Sequence, residues 1–233
     1  MKTVQRGQCQ FIRLFGRTPA RLHQNGSKFT QSSASEMSHF NALASTWWDV
    51  NGSQRILHKM NGLRMDFITE NLKSHLKLNA NSGSELDDVY IPPFNVDLLP
   101  PHVRGRIAQD QELRTEQLLQ HTRLRVLDVG CGGGILAESM ARLAFVQSVK
   151  GIDLSRDVLE AANLHREKDP ILADKLVYEQ TSIEGVPEDE KYDVVTMFEV
   201  LEHVDYPARV LEEGLSRLDV GGPRWNTYIG KIH

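Results

Sequence analysis

The stretch "VLDVGCGGGILAESMARL", residues 126–143, most restricts what this chain can fold into. The apolar run Val126-Leu127-Asp128-Val129 stops at Gly130, Gly132, Gly133 and Gly134, and the apolar spacing of a helix resumes at Ile135. That is a strand, a tight turn and a helix N-terminus. Glycines let the backbone approach a ligand closely, and the first turn of the helix offers unpaired amides to a polar or negative group. From residue 124 onward strand-like and helix-like segments alternate, the signature of an α/β parallel sheet built from crossover units. Strands are expected at 125–129, 148–152, 176–180 and 193–198, and helices at 135–143, 156–168 and 207–217. Right-handed crossovers then place ligands at the carboxyl ends of the strands.

Upstream of this core the chain changes character three times. Residues 1–33 carry Lys2, Arg6, Arg13, Arg17, Arg21 and Lys28 and no acid. With Phe11, Ile12, Leu14 and Phe15 as an apolar cluster, they read as a mitochondrial transit peptide; a basic tail for nucleic acid has no need of that cluster. Residues 34–78 read as a helical cap, with Met37, Phe40, Leu43, Ala44 and Trp47 on one face and Leu63, Phe67, Ile68, Leu72 and Leu76 on another. Residues 79–123 begin as an irregular insertion rich in Asn, Ser, Asp and Pro and end in a helical pattern around Ile107–Leu119. No apolar run is long enough to cross a bilayer, and the two cysteines, Cys9 and Cys131, suit a reducing compartment.

Two ligands compete for the glycine loop. Read from Gly132, the run to Ala137 fits the dinucleotide pattern G-x-G-x-x-G/A, which would make the chain an NAD(P)-dependent oxidoreductase. Read from Asp128, it is an acid ahead of three alternating glycines, awkward for a pyrophosphate and suited to a ligand with an amino group. Asp153, ending the second strand in "GIDLS", can accept hydrogen bonds from the ribose hydroxyls of either ligand, while Ser155 is placed to cap the helix that follows. The stretch "KYDVVTMFEVLEHVDYP", 191–207, puts Glu199, Glu202 and His203 at i, i+3 and i+4, on one face if the segment is helical. Two carboxylates and an imidazole there can hold a divalent ion, or His203 can serve as a base.

Taken with "STWWD", "LHKMNGLR" and "DPILADKLVYE", these motifs resemble the mitochondrial and bacterial O-methyltransferases of ubiquinone biosynthesis, fungal forms above all, over roughly residues 36–219. The resemblance implies a Rossmann-like class I methyltransferase core over 124–219. It implies S-adenosylmethionine as methyl donor, and a polyprenylated catechol or quinol as acceptor. Arg64 would meet the cofactor carboxylate, Gly130 would lie beneath its methionine part, Asp153 would bind the ribose and Phe198 would stand beside the adenine, with Asp128 and Gly132 also binding the cofactor. Glu199, Glu202 and His203 would hold Mg2+, with Glu199 and His203 at the chemistry. The resemblance also implies a peripheral place on the matrix face of the inner membrane, within a coenzyme Q biosynthetic complex. Trp47, Trp48 and His58 read as core or lid residues.

Residues 220–233 depart from the family. Val220 stands where relatives carry the proline of a Pro-Gly-Gly turn, and "PRWNTYIGKIH" is poor strand material. From this, the C-terminal strands are expected to be missing, with strand 193–198 an unpaired edge and the chain unstable or reduced to weak cofactor binding.

Overall fold

The first strand is buried on both faces and sets up two layers of core. In the computed structural model, which describes residues 34–79, 95–219 and 227–230, β1 (Leu124–Val129) sends Leu124 and Val126 into one apolar cluster and Leu127 and Val129 into another. This is the period of two that a pleated strand imposes, with both faces covered as parallel sheets require. Beside β1 lie β2 (Val146–Asp153), β3 (Leu176–Gln180), β4 (Val194–Met197) and β5 (Thr227–Gly230), in the order β3-β2-β1-β4-β5. All four pairings are parallel.

Seven helices among the described residues cover this sheet. They are α1 (Ala34–Leu43), α2 (Arg55–Asn79), α3 (Pro101–His121), α4 (Ile135–Ala141), α5 (Arg156–Arg166), α6 (Pro170–Ala173) and α7 (Pro207–Ser216). Ile68 and Leu72 of α2, Leu119 of α3, and Leu136, Ala137 and Met140 of α4 close the first cluster. Val210 of α7 closes the second, together with Ile183 and Val186. Fully burying aliphatic side chains of this size contributes about 1.5–3 kcal/mol each.

Three expectations are corrected here. The inward stripe of α2 runs through Asn61, Arg64, Ile68 and Leu72, whereas Leu63 is 71% and Phe67 46% exposed. Hydropathy rotated the expected face because polar Asn61 and Arg64 occupy the buried side. Second, strand 193–198 is not an unpaired edge: Val194, Val195, Thr196 and Met197 pair with Thr227, Tyr228, Ile229 and Gly230. Pro223 bars a strand only where it stands, and Thr, Tyr and Ile after it are good strand formers. Third, the amino-terminal helical pattern is broken after Leu43 by a 3-10 turn over Ala44–Thr46, which still leaves Ala44 and Trp47 buried. The basic leader, residues 80–94 of the insertion and residues 220–226 lie outside the described residues.

Candidate functional site

The strand order dictates where a ligand sits. From β1 the chain moves outward through β2 and β3, then returns to the other side of β1 as β4, so the carboxyl ends of β1 and β4 diverge at a topological switch point. A cavity of about 420 Å³ opens there, lined by Arg64, Asp128, Gly130, Asp153, Phe198 and His203 among others.

The loop that forms its floor is strained in a way only glycine tolerates. Gly130 and Gly132 have φ of 67° and 54°, in the left-handed region. A Cβ at Gly130 would overlap Val200 Cγ2, and one at Gly132 would come within 2.6 Å of Trp47 Cζ2. The Gly132 amide donates to Asp153 Oδ2 and the Ser155 amide to Asp153 Oδ1, both at 2.9 Å. Ser155 Oγ accepts from the Val158 amide and so caps α5, which leaves Asp153 to the loop and the cavity. Burial pushes the Asp153 carboxyl up against the pull of these backbone amides.

Asp128, the penultimate residue of β1, is buried. Its Oδ1 takes the Thr196 hydroxyl of β4 at 2.6 Å, and its Oδ2 is buried without a hydrogen-bond partner. Desolvation pushes this carboxyl up to about 7, against the opposing pulls of Thr196 and Arg64. Arg64 enters from α2, donates from Nη2 to Glu199 Oε1 at 3.3 Å, and keeps a buried Nε with no acceptor. Asp128 and Arg64 both line the cavity, and each has one buried side-chain atom without a partner, an acceptor on Asp128 and a donor on Arg64. Each such atom costs about 1–3 kcal/mol until a partner arrives.

The residues after β4 are placed differently from the helical reading. Glu199 has φ of 55°, outside any right-handed helix, and Leu201–His203 form a 3-10 turn. The i, i+3, i+4 spacing therefore does not bring the three groups to one face. Glu199 turns to Arg64, Glu202 is exposed and does not line the cavity, and His203 lines it with its ring edge-on to Phe40 at 5.5 Å. Among the described residues no three His, Cys, Asp or Glu side chains are grouped to hold a metal ion. Phe198 lines the cavity under Arg64, whose guanidinium lies 5.3 Å from the ring centroid, and it packs with Ile68 and Leu72.

Several residues of the site carry no sequence signal strong enough to announce them. Thr196 sits in an apolar strand and orients Asp128. Trp47 closes on the glycine loop, and the ring nitrogen Nε2 of His58 bonds the Trp47 carbonyl at 3.0 Å. The doubled tryptophan of "STWWD" is the one hint available in sequence, since both indoles reach the loop. Cys131 lines the cavity as a buried thiol that desolvation pushes up, so it stays neutral.

A family model described as a methyltransferase domain matches residues 102–222. The chain is 65% identical over 201 residues to the mitochondrial ubiquinone biosynthesis O-methyltransferase of Candida albicans, covering 86% of this chain and 61% of that protein. It is 43% identical over 198 residues to the protein of the same name from Saccharomyces cerevisiae, covering 84% and 61%. To the one from Schizosaccharomyces pombe it is 36% identical over 190 residues, covering 82% and 53%. The chain thus spans about three fifths, or less, of the length of these curated relatives. The matched segment takes in α3 but for its first residue, the glycine loop, all of β1 to β4, Asp128 and Asp153, and on that ground the chain belongs to the methyltransferase-domain family.

Proposed function

We propose that this chain binds S-adenosylmethionine and is the donor-binding part of an O-methyltransferase acting on a catechol-type hydroxyl of a polyprenylated benzenoid in ubiquinone biosynthesis. The observation that carries the donor is that Asp128 and Arg64, which line one cavity, each hold a buried polar atom without a partner, Oδ2 and Nε. An amino-acid zwitterion satisfies both, its ammonium on Asp128 and its carboxylate on Arg64. A pyrophosphate satisfies only the arginine and meets a second negative charge at Asp128. Asp153, at the end of β2, faces the same cavity and has lone pairs beyond those taken by Gly132 and Ser155 for a ribose hydroxyl.

The acceptor is read from the relatives, whose names place them in ubiquinone biosynthesis. S-adenosylmethionine supplies an electrophilic methyl group on a sulfonium. His203, on the cavity wall, takes the proton of the attacking hydroxyl, and the T-shaped contact with Phe40 holds its ring in orientation. Arg64 and Asp128 fix the donor end, so that the hydroxyl and the methyl group meet in a defined geometry. Magnesium does not fit the residues that the resemblance assigns to it, because Glu199, Glu202 and His203 are not gathered. No step here runs through a metal.

Mitochondrial placement is supported by the basic, acid-free residues 1–33 and by the names of the three relatives. No helix among the described residues is long and apolar enough to cross a membrane. The test is transfer of a radiolabelled methyl group from S-adenosylmethionine to a polyprenylated catechol. Label in the methoxy product supports the proposal, and S-adenosylmethionine binding without any transfer removes the acceptor chemistry from this chain.

A further inference from the structure

Trp48 does not line the cavity, yet it reaches the cavity floor. Its Nε1 donates to the Gly133 carbonyl at 2.9 Å, and its indole lies flat on the imidazole of His165, with centroids 3.4 Å apart and planes 4° from parallel. His165, in the last turn of α5, gives its Nδ1 hydrogen to Glu138 Oε1 at 2.8 Å. Glu138 is fully buried in the first turn of α4, and its other oxygen accepts from Arg142 Nη2 at 3.1 Å. This series of contacts leaves the glycine loop at Gly133, passes through the segment after α1 and through α5, and returns to the helix that the loop opens.

A buried carboxylate is tolerated only when its oxygens are bonded, and an apolar residue in its place would often be more stable. Here Glu138 orients one imidazole, and the stacked pair in turn fixes the plane of Trp48 and the direction of its single donor. The carbonyl held in this way belongs to a glycine with no side chain to anchor it. Trp47, the residue before it, closes on Gly132 and Gly133 from the cavity side.

We infer that Trp48, oriented by the His165–Glu138 pair, is a positioning residue that fixes the glycine loop in the conformation its ligand needs. Its effect on affinity rests on the reading of the loop as an S-adenosylmethionine site; its grip on the loop does not. Trp48→Phe keeps a ring for the stack and loses the donor, whereas His165→Gln can keep a bond to Glu138 and loses the stack.

Hydrogen exchange read by mass spectrometry compares loop residues 130–134 with β2 in the same molecule. Trp48→Phe is expected to speed exchange in the loop by about fivefold, the worth of one neutral hydrogen bond, His165→Gln is expected to speed it by less, and both are expected to leave β2 unchanged. The Kd for S-adenosylmethionine is expected to rise by a similar factor, with kcat at saturating donor unchanged. Equal acceleration in loop and β2 would mark Trp48 as ordinary packing and overturn the inference, as would an unchanged loop in both variants. A wild-type chain that binds no S-adenosylmethionine would sink the proposed function instead, and the exchange result alone would then decide the role of Trp48.

Discussion

The Gly132 amide donates to Asp153 Oδ2 at 2.9 Å, so the acid that ends β2 holds the loop that follows β1. Asp153→Ala removes the acceptor of two backbone amides as well as a ligand contact, while Asp153→Asn keeps one carbonyl oxygen. The alanine variant is expected to lose about 1.5–3 kcal/mol of S-adenosylmethionine affinity, and the asparagine variant less. Isothermal titration of the three proteins checks the order; equal affinities would take Asp153 out of the site.

Asp128 gives stability and binding a pH dependence of known sign. Its folded carboxyl sits at about 7, above the ordinary value of 3.8, so the folded chain keeps a proton that the unfolded chain has released. Stability from this group is therefore complete below about pH 4, falls as the pH rises through 7, and is level beyond, by about 4 kcal/mol at most. A ligand ammonium prefers the ionised form, so affinity runs the other way and rises by up to about tenfold per pH unit below 7. Urea unfolding and donor titration at about pH 5 and about pH 8 read both slopes. Asp128→Asn is expected to flatten both, and persistence of either slope in that variant assigns it to another group.

Two glycines should respond oppositely to added side chains. Gly130 has φ of 67°, and a Cβ there overlaps Val200, so Gly130→Val is expected to cost about 1–3 kcal/mol and to abolish donor binding. Gly62 lies inside α2 with nothing within 4 Å of an added Cβ. Gly62→Ala is expected to stabilise by about 0.5–1 kcal/mol. Thermal unfolding of both variants checks this pair, and a stabilised Gly130→Val would mean that the loop is not held as described.

The donor end should be independent of metal. Arg64→Gln removes the charged donor whose Nε is buried and unpaired, and is expected to lose about 1.5–3 kcal/mol of S-adenosylmethionine affinity. Chelation with EDTA, and Glu202→Ala at an exposed position, are expected to leave that affinity unchanged. A fall in affinity on chelation would put a cation back beside the loop.

Much of this was legible from local pattern. The glycine loop, β1 to β4 and the acid ending β2 follow from apolar runs cut by glycine, and Ser155 as the cap of α5 follows from its place before the helix. The turn after β4 was not legible, because the spacing of Glu199, Glu202 and His203 means one face only in an α-helix, and Glu199 has left-handed backbone. The inward face of α2 does not follow from hydropathy, because Arg64 and Asn61, polar by type, are turned inward beside Ile68 and Leu72 while Leu63 is exposed. β5 is not legible in local pattern, because Pro223 and its polar neighbours read as a break just ahead of Thr227, Tyr228 and Ile229. The stack of Trp48 on His165 joins segments far apart in sequence, and no local periodicity encodes it.

The most direct measurement is equilibrium binding of S-adenosylmethionine and of NADH to the wild-type chain and to Asp128→Asn, by calorimetry near pH 7.5. The loop with its buried acid should bind S-adenosylmethionine and not NADH, and Asp128→Asn should weaken the former by about 1.5–3 kcal/mol. NADH binding that is retained or strengthened in Asp128→Asn, with no heat from S-adenosylmethionine in either protein, would contradict the assignment of Asp128 to a ligand ammonium and return the loop to a dinucleotide.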